Sequence, residues 1–184
     1  MSKAQMYEGE PAVKFRFYLA GPMDRVPDGG EGWRKVAAKF LEECGAIAHN
    51  PCTKQSEVGK EDAVVRAKIA ELKLKKEWDE VARLMEPIRT VDLSLVRQSD
   101  ALICYMDIDV HMCGSYEEIY LAHRLGKRVF LVCPQGKAGV PNWLFDVLDH
   151  NLFFGTFDEL YNFLSASGYI TLPAQASPPQ PAHG

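Results

Sequence analysis

Short apolar runs of strand length alternate along this chain with longer stretches in which apolar residues recur every three or four positions. The runs fall at Phe15–Ala20, Ala46–His49, Ala101–Asp107, Arg128–Cys133 and Asn151–Phe154 and read as five strands. Between them, helical spacing covers Trp33–Glu43, closed by Gly45, a long charged stretch from Glu61 to Glu86, and Ile88–Gln98, restarted after Pro87. Further helices are expected from just after Ser115 to Gly126, near Asn142–Leu148, and over Thr156–Ser165. Within the charged stretch the inward positions are expected to be Val64, Ala67, Leu74, Trp78, Val81 and Leu84.

Strand and helix in alternation predict an α/β domain, a doubly wound parallel sheet with helices on both faces. Five strands joined by right-handed crossovers favour the flavodoxin-like order 2-1-3-4-5. A single domain over 15–170 is expected, with 61–86 as a helical insertion, 1–14 as an N-terminal segment and the proline-rich 171–184 as a disordered tail. In such sheets ligands bind beyond the carboxyl ends of the strands where strand order reverses, which selects the loops Gly21–Gly30, Asp107–Ser115 and Pro134–Asn142.

Two carboxylates stand where apolar side chains belong. Glu118 shares a helical stripe with Leu121, Ala122 and Leu125, and Asp92 one with Ile88, Val91 and Leu95, so both are expected to face inward, while Glu117 points elsewhere. A converging pair of acids divides naturally into a nucleophile and a proton donor. Each has a plainer account. Ser115-Tyr-Glu-Glu118 matches a capping box, and Asp92 could cap a helix restarted after Pro87 or pair with an arginine. Phase alone leaves the two accounts of Glu118 even. A first-turn position would also favour its anion through the helix dipole.

The Gly21–Gly30 loop, with Arg25 and free backbone amides, suits a phosphate or an ordinary glycine-rich turn. His111 beside Cys113 lacks a third partner for thiol catalysis, and no histidine–cysteine spacing suits a metal, so neither metal nor cofactor is expected. The formal net charge of −4, with no basic run, argues against a nucleic-acid polymer as partner. Without an apolar stretch long enough for a membrane span or signal peptide, and with 5 cysteines in no paired close spacing, a cytoplasmic protein is expected.

Three blocks, Phe17-Tyr-Leu-Ala-Gly-Pro22, Asp92-Leu-Ser-Leu-Val-Arg-Gln-Ser-Asp100 and Gly114-Ser-Tyr-Glu-Glu-Ile-Tyr-Leu-Ala122, resemble the nucleoside 2-deoxyribosyltransferase family, which includes related nucleoside 5′-monophosphate N-glycosidases. The resemblance spans about 15–142 and leaves the charged helix outside it. It implies N-glycosidic chemistry: Glu118 attacks the anomeric carbon and forms a covalent glutamyl-sugar intermediate, resolved by a second base or by water. Asp92 then assists the departing base or orients the sugar, and Tyr18 partners Glu118. Gly21, Pro22, Met23, Arg25, Asp107, Asp109, Gly114 and Ser115 are implied around the nucleoside or nucleotide. Asn142 is implied to reach a neighbouring subunit's sugar, hence a homodimer or larger homo-oligomer. The alternative from another class is a non-catalytic nucleotide-binding or sensing module of the same fold; a third is an unrelated flavodoxin-like domain in which Glu118 only caps a helix.

Overall fold

The computed structural model describes residues 14–54 and 58–173. The expected N-terminal segment up to residue 13, part of the connector at 55–57 and the tail from 174 lie outside the described residues. Five strands form one sheet: β1 (Arg16–Ala20), β2 (Ile47–His49), β3 (Ala101–Tyr105), β4 (Arg128–Val132) and β5 (Phe153–Phe154). Their order is β2-β1-β3-β4-β5 and every pairing is parallel, as the alternation of elements required. The helices are α1 (Glu31–Glu43), α2 (Ala63–Lys75), α3 (Trp78–Gln98), α4 (Cys113–Arg124), α5 (Leu144–Val147) and α6 (Phe157–Ala166).

Each strand alternates between two cores because successive side chains leave opposite faces of the sheet. Phe17, Leu19, Ile103 and Phe130 pack with Phe40 and Leu41 of α1 and with Leu160, Tyr161 and Leu164 of α6. Tyr18, Ala20, Leu102, Cys104 and Leu131 pack instead with Val96 of α3, Ile119 and Ala122 of α4, and Leu144 of α5. Parallel strands buried on both sides need near-continuous apolar runs, and that need is what made them legible as sequence.

The charged stretch departs from expectation. One helix was expected over 61–86 with a break at Pro87; instead the chain breaks at Lys76, which takes φ 61° and ends α2, while α3 runs through Pro87 to Gln98. The Lys76 amide donates to the Leu72 carbonyl, closing α2 with a left-handed cap of the kind usually given to glycine. Splitting the stretch changes its phase. Ile69 and Leu72 are buried, whereas Val64, Leu74 and Trp78, expected inside, are exposed. At its other end α3 is closed by the Lys127 ammonium, which donates to the carbonyls of Val96 (2.9 Å), Arg97 (2.5 Å) and Ser99. Smaller shifts affect β5, where a 3-10 turn takes up His150–Leu152, and α4, which starts at Cys113 and not after Ser115.

A non-glycine residue at φ 61° is strained by its Cβ. Lys76→Gly should therefore raise unfolding stability by about 0.5–1 kcal/mol, read as a higher urea midpoint with unchanged slope. A fall in midpoint would mean that α2 and α3 form one continuous helix in solution.

Candidate active site

The Glu118 carboxyl is placed by three elements of the face carrying α3 and α4. Tyr18, mid-strand in β1 and fully buried, donates its hydroxyl to Glu118 Oε1 at 2.6 Å. Glu118 comes from α4, below Ser115, whose buried hydroxyl donates to the Gly21 carbonyl at 2.9 Å and so ties the start of α4 to the end of β1. Asp92 comes from α3, is buried as its phase required, and lies close enough for its charge to act on both Glu118 and Tyr18.

Asp92 has a partner that the sequence did not suggest. Lys54, in the connector after β2, brings its nitrogen to 2.8 Å from Asp92 Oδ1, with only 3% of its side chain exposed. The same nitrogen donates to the Gly59 carbonyl at 2.6 Å. Lys54 begins a polar connector, and the return of the chain beneath α3 buries its side chain. Glu61 is also buried and sits in the electrostatic reach of Asp92 and Lys54. The Asp92 ion pair is therefore with a lysine, not with an arginine, and Asp92 is no helix cap.

The capping box at Ser115 is not formed. Because α4 begins at Cys113, with Met112 as the residue before it, Ser115 lies inside the first turn and Glu118 in the second. The dipole of the first turn thus contributes little to a Glu118 anion. Burial dominates: it pushes the Glu118 carboxyl up from 4.5 to about 8, reinforced by the Asp92 charge and opposed by the Tyr18 hydrogen bond and the cations Arg34 and Lys54. Burial also raises Asp92, and the contact with Lys54 works against that rise. Tyr18 is raised well above its usual range by burial and by the Glu118 and Asp92 charges, so its hydroxyl stays a neutral donor. Glu117 is different in kind: it turns outward to a two-pronged contact with Arg89 of α3, with Nε to Oε2 at 2.7 Å.

The remaining candidates spread over the mouth of the sheet. Gly21 is buried, and a Cβ on it would lie 2.8 Å from Trp33 Cζ2 and 2.9 Å from the Tyr105 carbonyl, so only glycine fits. Pro22 is buried, Met23 half-buried and Arg25 exposed in the same loop. Asp107 accepts from Gln135 Nε2 at 2.7 Å and, through the same oxygen, from the Asp109 amide at 3.0 Å, forming a turn in which Asp109 is exposed. Gly114 is exposed in the first turn of α4. Asn142 is exposed just before α5, beside the 74% exposed Trp143, and no hydrogen bond among the described residues joins its side chain to the acids. A cavity of about 730 Å³ at the same end of the sheet is lined by Pro22 and Asp107 but by none of Tyr18, Asp92 and Glu118. Among the described residues no cluster of three or more histidine, cysteine or acidic side chains could hold a metal, and no helix is long and apolar enough to cross a membrane.

A carboxyl raised from 4.5 to about 8 stabilises the fold while it is protonated. That contribution is complete below pH 4.5 and is lost as the pH rises through 8. Glu118→Gln keeps an acceptor for Tyr18 and cannot ionise, so its stability relative to the parent should grow between pH 5 and pH 9, by up to a few kcal/mol. Urea unfolding of both proteins at pH 5, 7 and 9 checks this; parallel pH profiles would refute a proton-binding Glu118.

The arrangement of strands and helices is shared with solved enzymes. A 2-deoxyribosyltransferase from Bacillus psychrosaccharolyticus matches with a TM-score of 0.55 and 19% identity over 86% of this chain and 98% of its own. A 2-desoxiribosyltransferase from Leishmania mexicana matches with a TM-score of 0.51 and 17% identity over 83% of this chain and 97% of its own. No family model and no curated protein matches the sequence. At these identities the likeness establishes a common fold.

Proposed function

We propose that the chain cleaves the N-glycosidic bond of deoxynucleosides or their 5′-monophosphates, transferring the 2-deoxyribosyl group to another base or to water. The observation that carries this reading is the 2.6 Å hydrogen bond from Tyr18 to Glu118 with Asp92 buried beside it, on a fold shared with 2-deoxyribosyltransferases.

Glu118, once deprotonated, bonds through a carboxylate oxygen to the anomeric carbon as the carbon–nitrogen bond breaks, and the electron pair leaves with the base. Tyr18 holds the carboxyl in place and donates to it, which limits the cost of its charge. In this reading Asp92, ionised in its pair with Lys54, takes the Glu118 proton and passes it to the departing base, or orients the sugar, while the ion pair fixes its side chain. In the second step a nitrogen of the acceptor base, or a water, attacks the same carbon and releases Glu118. With its pKa raised to about 8 the resting carboxyl keeps its proton at neutral pH, and the positive charge developing on the sugar favours its loss. In this reading the exposed Asn142, beside the exposed Trp143, serves the sugar bound by a neighbouring subunit.

Glu118→Ala should abolish base release from every deoxynucleoside and monophosphate in a chromatographic panel, while Glu117→Ala retains it; release unchanged in folded Glu118→Ala sinks the mechanism. Asp92→Asn should slow release roughly 10²–10⁴-fold. It should also move the rising limb of the pH–rate profile to lower pH, because it removes a negative charge that raises Glu118. Lys54→Met should move that limb to higher pH, since Lys54 lowers both acids. Identical limbs in all three proteins would show that Glu118 is not the titrating group. If Asn142 serves the neighbouring subunit, inactive Glu118→Ala and Asn142→Ala chains mixed in one oligomer should regain activity.

A further inference from the structure

The outward side of α2 carries apolar side chains of the kind a domain normally buries. Ile69 and Leu72 are buried where α2 meets the rest of the chain, whereas Val64 and Leu74 are 76% and 85% exposed. With about 100° of turn per residue, Ala63, Val64, Ala67, Ala70 and Leu74 fall within about one third of the helix circumference, and all five are exposed. A surface helix keeps a polar outer face, and a helix that is apolar on both sides belongs in an interior. The charges border this face. Lys68, Glu71 and Lys75 run along one edge, Glu71 pairing with Lys68 at 3.3 Å and with Lys75 at 2.5 Å. The two ends of α2 differ in sign: Asp62 caps the start, while Lys73, Lys75 and Lys76 gather at the finish.

We infer that this face docks on the same face of a second copy of the chain, the two α2 helices lying antiparallel across a two-fold axis at the level of Ile69, the middle of α2. That register sets Val64 of each helix against the partner's Leu74, with the alanines between them letting the helices approach closely. It also brings Lys68 beside the partner's Glu71, and Lys76 beside the partner's Asp62, each pair occurring twice by symmetry. Edge and ends therefore meet opposite charge, and the helix dipoles oppose one another, which is the favourable sense for neighbours. This match of the face to itself is what selects a second copy over a lipid surface or an unrelated protein. A face one helix long is small for a permanent interface, so the pair forms and parts with concentration. The inference does not rest on the chemistry given to Glu118, and the surface is on a different element from Asn142.

Sedimentation velocity of the full chain, from micromolar to millimolar concentration, should show a particle that doubles in mass as concentration rises. Leu74→Glu, which puts an unpaired charge into the seam, should raise the dissociation constant of that step at least about tenfold. Glu71→Lys and Lys68→Glu each set like charges against one another twice per dimer and should each weaken the step about threefold to tenfold. An equimolar mixture of these two variants restores opposite charges across the seam and should recover the parent's affinity. All three side chains are exposed, so the variants should keep the parent's far-ultraviolet dichroism. The inference falls if no doubling occurs, if Leu74→Glu leaves it unchanged, or if the mixture associates no better than its components. A chain that does not double but binds lipid vesicles would mark the face as a membrane surface and overturn it too.

Discussion

A single buried cation organises the carboxyl end of this sheet. Arg34, from the first turns of α1, is 1% exposed, and its guanidinium donates to the carbonyls of Leu19 (3.1 Å), Gly21 (2.7 Å), Pro22 (3.3 Å) and Gly30 (2.8 Å). These are one carbonyl near the end of β1 and three of the loop that follows, where the backbone has left the regular pairing of the sheet and needs donors from side chains. One planar fork thereby makes four hydrogen bonds to this backbone. The loop it fixes is also the anchor for Ser115, through Gly21, and hence for α4 and Glu118.

The charge of Arg34 matters as much as its geometry. Tyr18, Asp92 and Glu118 occupy one interior region, and a cluster of acids there is costly unless cations offset it. Arg34 and Lys54 supply that offset, one clamped by carbonyls and the other paired with Asp92. Burial still wins at Glu118, which binds its proton near neutrality. The balance leaves a carboxyl that changes charge within the range where a protein works, set by a strand tyrosine and two flanking cations.

The sheet's mouth serves two unlike surfaces. On the α3 and α4 side, ionisable groups face one another in a confined space. On the α1 and α6 side, aromatic rings and carboxylates border an open cavity. Gly21 is the hinge between them: its carbonyl takes the Ser115 hydroxyl, and the indole of Trp33 occupies the place of its missing side chain. Any side chain there would press on the Trp33 indole and the Tyr105 carbonyl, which gives Gly21 a structural reason independent of any ligand.

The apolar runs and their spacing were enough to set the five parallel strands, their order, and the inward turn of Asp92, because a sheet buried on both faces demands continuous apolar strands and a helix carries its face as a fixed period. Local signals misled where the deciding contact was distant. The break at Lys76 in place of Pro87 follows from how α2 and α3 pack, and it reversed the expected faces of Leu74 and Trp78. The capping box at Ser115 gave way to a hydrogen bond with Gly21, far away along the chain. Lys54 and Arg34 carried no signal in the sequence, since nothing in a single chain's pattern says which charges will be folded into the interior. Sequence alone determined the sheet and nominated two acids, because period and hydrophobicity are local properties. Only the tertiary structure decided their protonation and partners, because desolvation and Coulomb energy depend on what the fold places around them.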